Sequence, residues 1–506
     1  MGKEYYLGVD IGTTGIRSIV FDRDGILIAY DYKEYPMICL EKGMAELDPN
    51  IVFQSFTEVV RNSILKSKIS NKEIRAIGLS AQMHSILALD KEGNNLTNVI
   101  TWADTRAMEE SQYIAENYDF YDLYRKTGCI VKHPMYPLSK IIWLKNNRPE
   151  IYKKTYKFIT IKEYIIYRLS DEFFIDIADA SATGCLNIHS LTWDQEILAD
   201  ILKANSDILF GDIVDPGFIL PSIENKFIEE LGISKNTSLI IGASDGITAH
   251  IGCGCFDNEK VSCTVGTSGA LRVITDKPIL DKDAQTWCYC FNNSKWIIGG
   301  AISNGGIVLK YLRDQFREQF EYELSKTKYE NIYKLFDEYA TQINPGSDGL
   351  IFLPFLAGER APGWNPKASA ALFGMKLMHT KKHIIRAMME GVMYNMYSVY
   401  KIIEKINGGA KKIIANGGYV NSDEWLQIQA DIFNKEIAVM KINEATALGA
   451  AYIAMSSVGD IELFKDYLPV MNYSRIVKPN NENVNKYNKI YKVYKEYYEF
   501  VEKNFN

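Results

Sequence analysis

Two aspartates in this chain are each delivered by an apolar strand into a turn of small residues. The first lies in LGVDIGTTGIRSIVFDRDG, residues 7–25, where Asp10 is followed by Gly12, Thr13, Thr14, Gly15 and then Arg17. A tight strand–turn–strand of Gly and Thr exposes backbone N–H groups and hydroxyls in a concave nest that suits phosphate. Arg17 adds a possible charge-assisted bond to phosphate oxygens. Asp10 has the wrong sign for phosphate, so its presence calls for a cation, Mg²⁺ held directly or through water. A plain Gly/Thr β-turn accounts for the stretch equally well when it is taken alone. VGTSGA, residues 265–270, with Gly266 and Thr267, is a second nest of the same kind. Two facing nests suit an ATP whose phosphates cross from one half of the chain to the other.

The second aspartate is Asp245 in LIIGASDG, followed by Gly246. A carboxylate at such a turn, facing a γ-phosphate, can take the proton of a substrate hydroxyl; an Asx-turn or a helix cap is the bland alternative. Gln82, Met83 and His84 in SAQMHS, with Trp102, Asp104 and Arg106 in TWADTR, form a polar cluster with one flat apolar wall, as a polyol needs. Gly-Gly turns in SNGGIVLKYLRD and ANGGYVNSDEW leave room for a base or ribose, or simply open a helix. Neither a Walker nor a Rossmann fingerprint is present.

The elements that position these residues follow from the pattern. YLGVDIGTT, IRSIVFD and ILIAYDYKEY read as strands, PNIVFQSFTEVVRNSILKS as a helix and EIRAIGLSA as a strand. The pattern restarts near residue 248: KVSCTVGTSGALRVIT is strand, turn, strand, followed by WIIGGAIS, a helix, and later KKIIANGG. This predicts an α/β protein of two related domains, residues 1–247 and 248–506, with a cleft between them. The 506 residues exceed one core, and the net charge of −6 argues against nucleic acid as the main partner. No apolar run is long enough to span a membrane, and MGKEYYLGVD runs straight into a strand, so a cytoplasmic location without a secretory leader is expected. The eight cysteines are expected to be reduced, with Cys253/Cys255 and Cys288/Cys290 as small packed residues rather than zinc ligands. His379 and His383 share a helix face, and Lys381 and Lys382 beside them favour a solvated helix start over a metal site.

On these residues the chain resembles the FGGY carbohydrate kinases, of the actin-like ATPase superfamily, over roughly residues 5–455. MYPLSKIIWLKNN (135–147) resembles the first family signature, GMKLMHTKKHIIRAMMEG (374–391) the second, and FLAGERAPGWNP (355–366) is also typical. The resemblance implies two ribonuclease-H-like domains closing on their substrates. It implies that Asp10 binds Mg²⁺ with its water shell, that Thr13, Thr14 and Arg17 hold phosphates, and that Asp245 is the catalytic base. Gly266 and Thr267 would lie at the transferring phosphate, and Gly306, Lys310, Gly418 and Ser422 at the nucleotide, although relatives often carry Gln and Asn in place of Lys310 and Ser422. Gln82, Met83, His84, Trp102, Asp104, Met135, Asp245 and Gly246 would line the sugar site. Within the family, ITWADTRA, HPMYPLSKI, GASDGI and VGTSGALR are most similar to the gluconate-phosphorylating members. The expected reaction is therefore ATP-dependent phosphorylation of a sugar acid, D-gluconate first, with a pentulose such as D-xylulose as the alternative. A homodimer is compatible with this reading. An actin-like or Hsp70-like ATPase without a small acceptor shares the nests but leaves the cluster at 82–106 unexplained. A gluconate carboxylate needs a cation or N–H donors. His84 and Arg106 are the nearby candidates, unless Arg106 merely pairs with Asp104.

Overall fold

The computed structural model describes residues 4–204 and 206–504; Met1–Lys3, on which the reading of the chain start partly rests, lie outside them. Two sheets organise the chain. The first has the order Ser238–Ser244, Ile74–Ala81, Tyr5–Ile11, Gly15–Asp22, Leu27–Glu34. Its last three strands form an antiparallel meander, and the first two run parallel to Tyr5–Ile11 and to each other. The second sheet repeats this plan. Trp296–Ile302, Gly269–Thr275 and Lys260–Val265 form the meander, and Lys412–Asn416 and Glu436–Met440 add in parallel. Trp287–Cys290 and Tyr473–Val477 extend its two edges. The duplication seen in the sequence pattern is thus a duplication of topology.

Central strands such as Tyr5–Ile11 are buried on both faces, which explains their near-continuous apolar text. The helix Pro49–Ser67 spans the residues read as helical. Asp48 caps its first turn by accepting from Asn50 and Ile51, Pro49 fits the start, and Lys68 ends it in the left-handed region at φ 58°. Its buried stripe of Val52, Phe53, Phe56, Val59 and Val60 covers the first sheet.

Two helices that begin beside the candidate site cross at backbone distance. Asp245–Gly252 follows the strand Ser238–Ser244, and Ala445–Ser457 comes from far along the chain to lie on the first sheet. A Cβ on Gly449 would fall 1.9 Å from the Thr248 carbonyl oxygen, and one on Gly252 1.9 Å from that of Ala445. Gly8 and Gly78 admit the same helix onto the strands: Cβ atoms there would sit 1.8 Å and 2.0 Å from the Ala447 and Ala450 carbonyl oxygens.

Where the sequence suggested a solvated helix start at His379 and His383, the structure differs. The helix Lys381–Asn407 does begin there, but His383 is buried, its Nδ1 accepts from the Thr380 amide at 3.0 Å, and its Nε2 lies 3.3 Å from Asp348. His383 caps the helix, a role its lysine neighbours conceal. Cys253, Cys255, Cys288 and Cys290 are buried free thiols.

Because the helix carbonyl has no room to retreat, Gly78→Ala is expected to cost about 3 kcal/mol or more. Gly418→Ala, where nothing lies within 4 Å of the added carbon, should stay within about 0.5 kcal/mol of wild type. Urea unfolding midpoints of the two variants check this.

Candidate active site

The phosphate-loop candidate is the turn between Tyr5–Ile11 and Gly15–Asp22. The Gly12 amide donates to the Gly15 carbonyl at 3.0 Å, and Gly15 is required because a Cβ would meet the Lys33 oxygen at 2.7 Å. Thr13 is the link to the polar cluster. Its hydroxyl donates to Gln82 Oε1 at 3.0 Å and accepts from Trp102 Nε1 at 2.9 Å, while Thr14 is exposed. Arg17 forms an ion pair with Glu444 and lies over Tyr32, and its Nε is buried without a partner. Asp10 Oδ1 is also buried without a partner. Burial, reinforced by the charge of Asp245, pushes its carboxyl up to about 7. An orphaned oxyanion at the nest, within electrostatic reach of a second carboxylate, fits a divalent cation that keeps part of its water.

Asp245 opens the helix Asp245–Gly252. Its Oδ1 accepts the Gly246 amide at 2.6 Å, and the Met83 amide also donates to it. Burial raises its pKa above the ordinary carboxylate range, opposed first by the guanidinium of Arg272. The result is an oriented carboxylate, desolvated enough to accept a proton.

The polar cluster is held together by Lys140, a residue that sequence reasoning did not single out beyond its place in MYPLSKIIWLKNN. It is fully buried on the helix Pro137–Asn147. Its Nζ donates to the carbonyls of His84 at 2.8 Å, Thr101 at 2.7 Å and Met135 at 2.7 Å. One ammonium therefore ties the three segments that carry Met83 and His84, Trp102 and Asp104, and Met135. Burial lowers its pKa to about 7. His84 sits in the left-handed region at φ 64°, a strained conformation for a side-chain-bearing residue, and Nδ1 bonds the Ala182 carbonyl at 2.7 Å. Burial lowers the His84 pKa to about 3, so the ring is neutral.

The two candidates for gripping a carboxylate are thereby corrected. His84 carries no charge. Arg106 is spent on its own turn, with Nε and Nη2 donating to Asp104 at 2.8 and 2.6 Å and Nη2 also reaching Glu46 at 2.5 Å. Asp104 is wholly buried and further accepts from the Ala45 amide at 2.7 Å. The pairing with Asp104, left open by the sequence, is what the structure has.

In the second half, Gly266, Thr267, Gly306, Lys310, Gly418 and Ser422 all line one cavity of about 320 Å³. Gly266 and Gly418 in its lining have open space around them, and the tightest steric demand falls on the glycines next to the lining. A Cβ on Gly305 would lie 2.5 Å from the Ser268 oxygen, and one on Gly417, at φ 96°, 2.6 Å from that of Val265. The Gly305 and Gly306 amides donate to Thr267 and Gly266, fastening the second nest to the helix Ile307–Gln315. The Ser422 hydroxyl is engaged, donating to Asp337 at 2.5 Å and accepting from the Trp425 amide at 3.0 Å. Asn331, Tyr333, Lys334 and Asp337 complete the cavity. They arrive from a polar, motif-free stretch that gave no signal in the sequence.

A sheet plan used twice, with a strand–turn–strand loop opening each copy, defines an actin-like ATPase fold. Models described as the FGGY family of carbohydrate kinases match in both parts, the N-terminal domain over residues 5–252 and the C-terminal domain over residues 261–458. The chain belongs to the FGGY family of carbohydrate kinases. It is 38% identical to a gluconokinase of Bacillus subtilis, over 91% of this chain and 89% of that one. It is 27% identical to the xylulose kinase of B. subtilis, over 96% and 94%. The crystal structure of a gluconate kinase from Lactobacillus acidophilus superposes with a TM-score of 0.91 at 34% identity, covering 100% of this chain and 99% of that one. A ligand-bound xylulose kinase from the same species does so with the same score and identity, over 99% of each chain.

Lys140→Met takes a donor from three buried carbonyls, of which that of Thr101 keeps the Asp104 amide, so a loss of about 3 kcal/mol is expected. KM for the acceptor should rise while nucleotide affinity stays within about twofold, because the cavity lined by Gly266, Gly306 and Gly418 is built from other segments. Calorimetric nucleotide titration beside steady-state kinetics checks the split.

Proposed function

We propose that the protein transfers the γ-phosphoryl group of ATP to the terminal hydroxyl of a sugar acid, D-gluconate to 6-phosphogluconate, in the cytoplasm. The observation that carries the phosphotransfer is Asp245, held by the Met83 and Gly246 amides between the acceptor cluster and the Asp10 loop. In this reading Asp245 takes the proton of the acceptor hydroxyl as the oxygen attacks phosphorus. Arg272 opposes the upward push of burial on the base. The amides around Gly12–Gly15 and Gly266–Ser268 receive the phosphate oxygens, and the cavity beyond Gly306 takes the nucleoside. Asp10 is the residue to hold Mg²⁺, with water between, and that ion supplies charge neutralisation at the phosphates.

Gluconate as acceptor is supported by the higher identity to gluconokinases, 37–38%, than to xylulose kinases, 27–28%. A pentulose is the second reading, favoured by the equal structural likeness to a xylulose kinase. The built acceptor wall around Lys140 speaks against an ATPase that lacks a small-molecule substrate.

Asp245→Asn keeps the shape and removes the base. Turnover is expected to fall by ~10²–10⁴-fold with ATP affinity retained; a variant within a few-fold of wild type removes Asp245 from this role. With saturating ATP and Mg²⁺, kcat/KM for D-gluconate should exceed that for D-xylulose by at least about tenfold, or ~1.4 kcal/mol. A preference for xylulose selects the second reading.

A further inference from the structure

We propose that Arg272 and Arg360 form an anion subsite in the acceptor pocket and hold the carboxylate of the sugar acid. The proposal rests on the sugar-acid reading above and names the residues that make it specific.

Arg272 stands on Gly269–Thr275, and its Nε and Nη1 are buried with no partner. It lies against the acceptor residues: a Cβ on Gly246 would be 2.9 Å from Arg272 Nη2 and 3.1 Å from the Met83 methyl carbon. Gly246 therefore keeps this space open. Arg360 stacks over the Trp102 ring, 5.3 Å from its centre, and Nη2 donates to the Ile302 carbonyl at 2.9 Å. Its Nε is buried without a partner. The two guanidiniums are within electrostatic reach of each other, and Arg272 helps push Arg360 down to about 10. Two like charges with unused donors in a desolvated pocket are costly unless an anion joins them.

The charge balance indicates which anion. Asp104 and Glu46 are neutralised by Arg106, and His84 and His133 are held neutral by burial. Asp245 is the one carboxylate that acts on Arg272, and buried Tyr289 and Tyr136 face Arg360. Lys140 is spent on three carbonyls, so Arg272 and Arg360 are the cations here that keep unused donors, which an acceptor carboxylate can take up and a neutral polyol cannot. A planar fork suits a carboxylate bidentately. The transferring phosphoryl group is the other anion in reach, and it already has the amides of two loops.

The test compares D-gluconate with D-glucitol, the same carbon chain bearing an alcohol in place of the acid. Arg360→Gln is expected to lower kcat/KM for gluconate at least about 100-fold and for glucitol or D-xylulose less than about fivefold, while Arg272→Gln, which also removes the cation beside the base Asp245, is read by gluconate binding instead. Arg272→Lys, which keeps the charge and loses the fork, should bind gluconate between wild type and Arg272→Gln. Calorimetric titration of gluconate without nucleotide should show binding to wild type and loss of it in the Gln variants, with melting temperatures confirming the fold. Equal losses on charged and neutral acceptors, or undiminished gluconate binding without nucleotide, would overturn the proposal by assigning the arginines to the phosphoryl group or the fold. A wild type with no preference for gluconate would instead overturn the sugar-acid reading itself.

Discussion

The site depends on the crossing of two helices at bare backbone. Asp245–Gly252 and Ala445–Ser457 touch through Gly252 and Gly449, where any side chain would strike a carbonyl oxygen. Each helix begins where chemistry is expected. The first starts at Asp245, and the second starts directly after Glu444, the ion-pair partner of Arg17 on the phosphate-loop strand. Close packing is stiff because backbone atoms have no rotamers to yield. The crossing therefore fixes Asp245 relative to the Asp10 loop, Gly8 fixes the second helix against the strand that carries Asp10, and Gly78 fixes it against the parallel neighbour of that strand.

Around this rigid junction the acceptor wall is assembled from segments with no covalent proximity. Lys140 holds three of them by their carbonyls, and Thr13 joins Gln82 and Trp102 to the phosphate loop. A displacement at the acceptor side is thus passed to the phosphate side through two hydrogen bonds, an arrangement suited to a reaction that needs both substrates aligned.

The repeated strand–turn–strand units, the helix Pro49–Ser67 and the strands delivering Asp10 and Asp245 were legible in the sequence, because local periodicity and caps specify them. The Gly-Gly turns at the cavity were legible for a related reason: a Gly-Gly after an apolar strand announces close backbone approach, which is found at Gly305 and Gly417. Partnerships across the chain were not legible. The sequence leaves Arg106 between gripping a carboxylate and pairing with Asp104, and Glu46, far earlier in the chain, is found beside it only in the structure. His84 reads as a possible cation until burial neutralises it. Arg272 sits in an ordinary strand pattern, and only the third dimension shows that its donors have no partner. Lys140 stands among Leu138, Ser139, Ile141 and Ile142 with no sign in the sequence of the three carbonyls it serves, and it is wholly buried.

These partnerships also explain where charge is left over. Lys162 takes up Asp176 and Asp179 at 2.6 and 2.9 Å, Arg106 takes up Asp104 and Glu46, and burial discharges His84 and His133. Buried ions are normally paired because an unpaired one pays its full desolvation cost. Asp10, Arg272 and Arg360 are exceptions, each retaining a buried polar atom with no partner, and Asp245 lies within electrostatic reach of Asp10 and Arg272. A fold that pairs Asp104, Glu46, Asp176 and Asp179 with buried cations, yet leaves unpartnered atoms on Asp10, Arg272 and Arg360, is suited to charges that arrive with the reactants. The cost appears in the raised carboxyls of Asp10 and Asp245 and the lowered guanidiniums of Arg272 and Arg360. Ligands of the complementary sign relieve it, so part of the binding free energy comes from strain already present in the empty site.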